Sequence, residues 1–150
     1  MSIRSDIRST IITAIKAILP GAQVLAWGGE EKALKEASTN GPTVYVQYVG
    51  MRNSPNEEIP PALYTRDMLY HVLVATADDP AGNSGDLTAM DALEAIETGL
   101  FGKDIAGVGQ AQMVPWADFG SLPEALLGVH EGKYLYGQSW AVEGVETHSA

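Results

Sequence analysis

With 150 residues, 45% hydrophobic and 19% charged, the chain belongs with single globular domains that bury a core unaided, outside the disordered class. It has no cysteine, which excludes disulfides, thiolate nucleophiles and Cys-ligated zinc or iron-sulfur centres. The net charge of −10 is uneven: residues 1–38 hold five Lys/Arg against four Asp/Glu, residues 39–150 four against fifteen, a field that repels phosphate backbones and argues against specific nucleic-acid binding.

Ile3, Ile7, Ile11, Ile15, Ile18 and Leu19 recur at helical spacing, and Pro20-Gly21 ends the pattern, so a helix is predicted over 2–19. Its opposite face carries Arg4, Arg8 and Lys16 with Ser5 and Ser9. That face reads as solvated, with a partner-facing basic stripe as the alternative. Residues 23–27 form a short apolar strand, and 30–37 a short polar helix. After the Asn40-Gly41-Pro42 turn, T-V-Y-V-Q-Y-V-G is apolar on both sides and reads as an interior strand.

Residues 51–64 hold three prolines, Asn53, Asn56 and the pair Glu57-Glu58, too polar and broken for a central strand. They read as a long exposed connection between antiparallel strands, and connections of this length in compact domains are functional or disordered, so a contact arm and a disordered loop are the two readings. Arg52, Asn53, Asn56, Glu57, Glu58 and Ile59 are therefore the candidate interface residues.

The strand over 66–77 alternates Met68, Tyr70, Val72 and Val74 against Leu69, His71, Leu73 and Ala75. A Gly/Asp/Asn loop leads into a helix capped by Ser84 or Asp86, with a core stripe of Leu87, Met90, Leu93, Ile96 and Leu100 and with Asp91 and Glu94 facing water. Gly102 ends it. Residues 110–116 read as a strand, and 118–128 as irregular or briefly helical around Leu122–Leu127. The last strand begins at Gly132, with Tyr134, Tyr136, Gln138, Trp140 and Val142 on one face, and 146–150 read as a frayed tail. The order predicts one α+β domain over 1–150: a mostly antiparallel, mixed sheet flanked by two main helices.

Catalytic templates fail on physical grounds. His71, His130 and His148 lack metal-ligand spacing, and neither H-E-x-x-H nor a nucleophile elbow occurs. Asp78, Asp79, Asn83 and Asp86 cluster oxygen ligands but lack the alternation and closing Glu of a calcium loop, and turn and capping chemistry explains them equally. G-V-G-Q-A-Q at Gly107 departs from the dinucleotide fingerprint at its third glycine. The strand aromatics lack the interleaved Lys/Arg of a base-stacking platform. The chain is read as a non-enzyme with no catalytic residue, no cofactor and no metal. It shows no run of about 18 apolar residues and no secretory leader, so no membrane contact and assembly in the cytoplasm are expected.

Taken in order, the Ile-rich helix, V-Y-V-Q-Y-V-G, the long loop, R-D-M-L-Y-H-V-L-V-A-T-A, D-A-L-E-A-I-E-T-G-L-F-G-K and Y-L-Y-G-Q-S-W-A-V-E resemble a Mu-like phage tail protein family. More loosely they are similar to the tail terminator proteins of long-tailed phages. The resemblance covers nearly the whole chain and implies a tail-terminator-like fold and a virion subunit. Such a subunit forms a homo-oligomeric ring, of six copies, on the head-proximal end of the tail tube, where it stops polymerisation and joins the tube to the neck. Implied partners are further copies of the chain, the tail tube, the sheath and neck or connector proteins, with DNA only as passing cargo. A neck, head-completion or minor tail protein is the alternative in the same setting. Outside it, a small hydrolase or metal-dependent enzyme using Asp78, Asp79, Asp86 and a histidine, and a monomeric peptide-binding module with an open strand edge, stay open.

Overall fold

The structure is a computed structural model that describes residues 2–27, 29–37, 41–53, 63–79, 82, 84–105, 107 and 109–148. The chain runs α1 (Ile3–Ile18), β1 (Gln23–Ala26), α2 (Glu30–Glu36), β2 (Thr43–Asn53), β3 (Leu63–Ala77), α3 (Gly85–Leu100), β4 (Asp104–Ile105), β5 (Gly109–Met113), β6 (Glu124–His130) and β7 (Lys133–His148), with a 3-10 turn at Ala117–Phe119 before β6. One mixed sheet is ordered β1-β2-β3-β7-β5-β4, with β6 also paired to β7. Among the described residues β1 and β2 pair in parallel and the other strand pairings are antiparallel. This is the α+β arrangement expected from the order of elements.

Both sheet faces are covered, which explains why the long strands are apolar on both sides. One face presents Val44 and Val46, then Met68, Tyr70, Val72 and Val74, then Trp140 and Val142, to Ile7, Ile11 and Ile15 of α1 and Ala89, Leu93 and Ile96 of α3. The sheet curls, so that Ile105 of β4 joins this core and β4 touches α1. The opposite face packs Tyr45, Leu73, Ala75 and Leu135 against Ala33 and Leu34 of α2. Beside them Leu69 and Ala141 lie under Val114 and Trp116.

Local chemistry fixes the helix ends. Ser2 Oγ accepts from the Ser5 N–H at 3.1 Å, and Ser84 Oγ, not Asp86, caps α3 by accepting from the Leu87 N–H at 3.5 Å. The Tyr70 hydroxyl donates to the Arg4 carbonyl at 2.6 Å and ties α1 to the sheet.

Four expectations need correction. In α3 the buried stripe is Ala89, Ala92, Leu93, Ile96 and Leu100, whereas Leu87 and Met90 face outward. The sheet below already carries Tyr70 and Trp140, so alanines fill the space under the helix and the larger side chains turn away. Within 118–128, read as irregular or briefly helical, β6 begins at Glu124 and runs to His130; its ladder breaks between Leu126 and Gly128, which removes the strict alternation of a strand. The connection read over 51–64 is shorter: β2 continues through Asn53 and β3 starts at Leu63. The tail read as frayed is paired as far as His148, with Leu63↔His148, Tyr64↔Thr147 and Thr65↔Glu146.

Candidate interaction surface

Two features outside the core organise the surface. The first is the root of the extended β2–β3 hairpin. Arg52 faces Asp67 across the ladder, and its Nε donates to Asp67 Oδ2 at 3.0 Å. The other carboxylate oxygen accepts from the Gly144 N–H at 3.4 Å. Between Arg66↔Val145 and Met68↔Val142 both Glu143 and Gly144 oppose Asp67, a bulge in β7, and Gly144 adopts φ 76, which glycine takes without strain. A second bulge leaves Val49 unpaired in β2 between Tyr48 and Gly50. One buried carboxylate thus ties β2 and β7 to β3 where the strands leave the body of the sheet.

The second feature is the outer face of α3. Leu87, Met90 and Phe101 are 60%, 43% and 58% exposed, and Asp91, Glu94 and Glu97 stand among them. Beside this face lies an open groove of 300 Å³ lined by Met90, Leu93, Glu94, Glu97, Met113, Pro123 and Glu124. Its wall is fixed by the buried Gln138, whose amide nitrogen donates to the Leu93 carbonyl at 3.0 Å and to Glu124 Oε1 at 2.9 Å. The Gln138 oxygen accepts from the Trp140 indole N–H at 3.0 Å. Every polar atom of that amide group therefore finds a partner, as a buried amide requires.

The residues tested for chemistry from the sequence are scattered. Arg52 and Asn53 end β2, with Arg52 engaged by Asp67; Asn56, Glu57, Glu58 and Ile59 lie outside the described residues. His71 is buried against the rings of Trp116 and Phe119, at 5.3 and 4.5 Å. His130 is exposed at the end of β6, 3.7 Å from the Glu131 carboxylate, and His148 ends β7. Burial pushes His71 below the ordinary imidazole range, and the Asp118 charge opposes this in part.

The loop carboxylates serve structural roles. Asp78 Oδ1 accepts from the Gly85 N–H at 2.8 Å and Oδ2 from the Tyr134 hydroxyl at 3.4 Å, while Asp86 accepts from the Tyr136 hydroxyl. The Tyr136 phenol is pushed up to about 12, first by that hydrogen bond and then by desolvation. A larger open depression of 790 Å³ between α2 and the β6–β7 turn mixes Glu31 and Glu131 with Lys35, Lys133 and His130, so its charges oppose one another.

No family profile matches the chain, and no curated protein matches it. The fold is similar to that of a solved chain from a structure described as the virion of a native gene transfer agent (GTA) particle. The two share 12% sequence identity and superpose with a TM-score of 0.57 over 97% of this chain and 98% of that chain. At this identity the similarity establishes a shared fold over almost the full length of both chains.

Reading the sequence missed the α3 face and its groove. Met90, Glu94 and Glu97 come from one helix, Met113 from β5, and Pro123 and Glu124 from the start of β6. The usable signal was the alanine pair Ala89 and Ala92, which marks the side of α3 that meets the sheet and so turns Leu87 and Met90 outward.

Proposed function

We propose that the chain is a structural subunit of a phage-like virion. In the finer reading it is a tail terminator: a ring that caps the head-proximal end of the tail tube, stops its growth and joins it to the neck. The observation that supports this best is the fold shared with a chain of the gene transfer agent virion across 97% of the present sequence. The sequence resemblance to Mu-like tail proteins points the same way. The role assigned is one of shape and contact and involves no reaction.

The charge balance fits this reading. At −10 overall, the surface repels the phosphate backbone of DNA and lets it pass as cargo without being held. Partners in this reading are further copies of the chain, the tube and its sheath, and the neck. Imaging of purified subunits mixed with cognate tail tubes tests it. Extra density at one tube end only, with tube length limited when the subunit is present during assembly, supports termination. Subunits that bind no tube end but bind isolated neck particles shift the assignment to a neck or head-completion protein.

A further inference from the structure

One flank of α1 carries a ridge of Arg4, Arg8, Ile12 and Lys16, one residue in every four, so the side chains follow each other at about 6 Å along the helix. Arg4 and Lys16 are exposed, and Arg8 and Ile12 are partly buried, Ile12 with one side against the core. Arg4 is partly engaged, with Nε 3.2 Å from the Tyr48 hydroxyl and its guanidinium 5.8 Å from that ring. Arg8 and Lys16 make no hydrogen bond or ion pair among the described residues.

The outer face of α3 has the opposite character. The side chains of Asp91, Glu94 and Glu97 likewise make no hydrogen bond or ion pair among the described residues, although α1 and α3 pack on each other. They surround three exposed apolar side chains, Leu87, Met90 and Phe101, next to the groove that Met113, Pro123 and Glu124 complete. Exposed apolar groups grouped inside a charged rim are the composition of a protein contact. The charge facing this surface from the neighbouring strands is Glu124, also acidic.

We propose that the α1 ridge of one copy of this chain docks on the α3 face and groove of the next. Cations of the ridge then meet Glu94 and Glu97, and Ile12 meets Met90 and Met113. The inference rests on the self-assembling ring reading and supplies its contact surfaces. Because the two surfaces differ, the contact is heterologous, the type that closes into a ring when its rotation allows. Exposed ion pairs contribute little each, so the apolar groups supply most of the affinity while the charges steer and orient the approach.

Light scattering on charge-reversed full-length chains tests this. Wild type is expected to self-associate, less so at high salt. Glu94→Lys/Glu97→Lys, and separately Arg8→Glu/Lys16→Glu, are each expected to weaken association by roughly tenfold or more, with circular dichroism unchanged because all four side chains are outside the core. An equimolar mixture of the two variants restores complementary charge at every contact, and assembly is expected to return. Variants that assemble as wild type does, or a mixture that fails to recover, overturn the docking surfaces and leave the ring reading intact. A wild-type chain that stays monomeric at every concentration also overturns them, and the tube-capping experiment then decides the functional reading by itself.

Discussion

Asp67 is 1% exposed, yet it holds a 3.0 Å hydrogen-bonded ion pair with Arg52, which is 38% exposed on the neighbouring strand. Removing the cation takes one charged partner from a buried carboxylate that also accepts from the Gly144 N–H and holds further contacts. Arg52→Met is expected to destabilise the fold by about 2–3 kcal/mol, less than full burial of both charges would give because Arg52 is partly solvated. The midpoint of urea unfolding measures it. A midpoint equal to wild type shows that the other contacts of Asp67 suffice without the Arg52 cation.

Gly85 opens α3 where the helix touches the end of β3. A Cβ there meets the Ala77 carbonyl carbon at 2.5 Å and the Asp78 nitrogen at 2.8 Å, both backbone atoms. Two hydrogen bonds fix this approach: Thr76 Oγ1 to the Gly85 carbonyl at 2.6 Å and the Gly85 N–H to Asp78 Oδ1 at 2.8 Å. Helix propensity favours alanine by about 1 kcal/mol, but overpacking against fixed backbone costs about 3 kcal/mol. Gly85→Ala is therefore expected to lower stability, and a rise in melting temperature contradicts the close approach.

His71 makes stability depend on mild acid. Burial holds its folded-state pKa below the unfolded value of 6.5, so below pH 6.5 the unfolded chain takes up a proton that the folded chain resists. Stability from this group is complete above 6.5. It falls as the pH drops, by at most about 1.4 kcal/mol per pH unit, and levels off below the lowered folded pKa. His71→Gln is expected to remove this slope between neutral and mildly acidic pH in parallel unfolding titrations, leaving only the carboxylate contribution at lower pH.

Tyr136 acts at the other end of the scale. Its hydrogen bond to Asp86 raises the phenol to about 12 from an ordinary value of 10.0. The folded state keeps this proton longer than the unfolded state, so stability present below pH 10 is lost as pH rises toward 12. Asp86→Asn removes the acceptor charge and is expected to move phenolate absorbance toward lower pH in a spectrophotometric titration. An unchanged titration argues against the pair.

The long strands and α1 were legible because their signals are local: isoleucines at helical spacing, and β-branched or aromatic residues filling both sides of 43–49 and 68–75. Other features were not. The rotation of α3 depends on Tyr70 and Trp140, which lie on other strands and decide that alanine fits beneath the helix. The strand β6 hides behind a broken ladder at Leu127 and outward Leu126 and Val129, and the two residues of β4 are too short to show a period. The Arg52–Asp67 pair depends on register between two strands. Of the candidate interface residues, Arg52 thereby gains a structural role that no local pattern records, and the α3 groove, assembled from three separated segments, has no local pattern at all.

The β6–β7 turn offers a substitution expected to stabilise. His130 pairs with Lys133 across two residues, Glu131 and Gly132, both at positive φ, 49° and 77°. This is the backbone of a type I′ hairpin turn, which matches the twist of the flanking strands and favours Asn-Gly. Glu131 pays the steric penalty of a left-handed conformation with a Cβ, about 1–2 kcal/mol, and asparagine relieves part of it by local hydrogen bonding. The Glu131 carboxylate is exposed and lies 3.7 Å from His130 Nε2, a contact of small value at the surface. Glu131→Asn is therefore expected to raise stability by about 0.5–1 kcal/mol with no change in assembly, since the turn lies outside both proposed docking surfaces. Unfolding midpoints and solution mass, taken on the same sample, separate the two effects; altered assembly moves the turn into the interface.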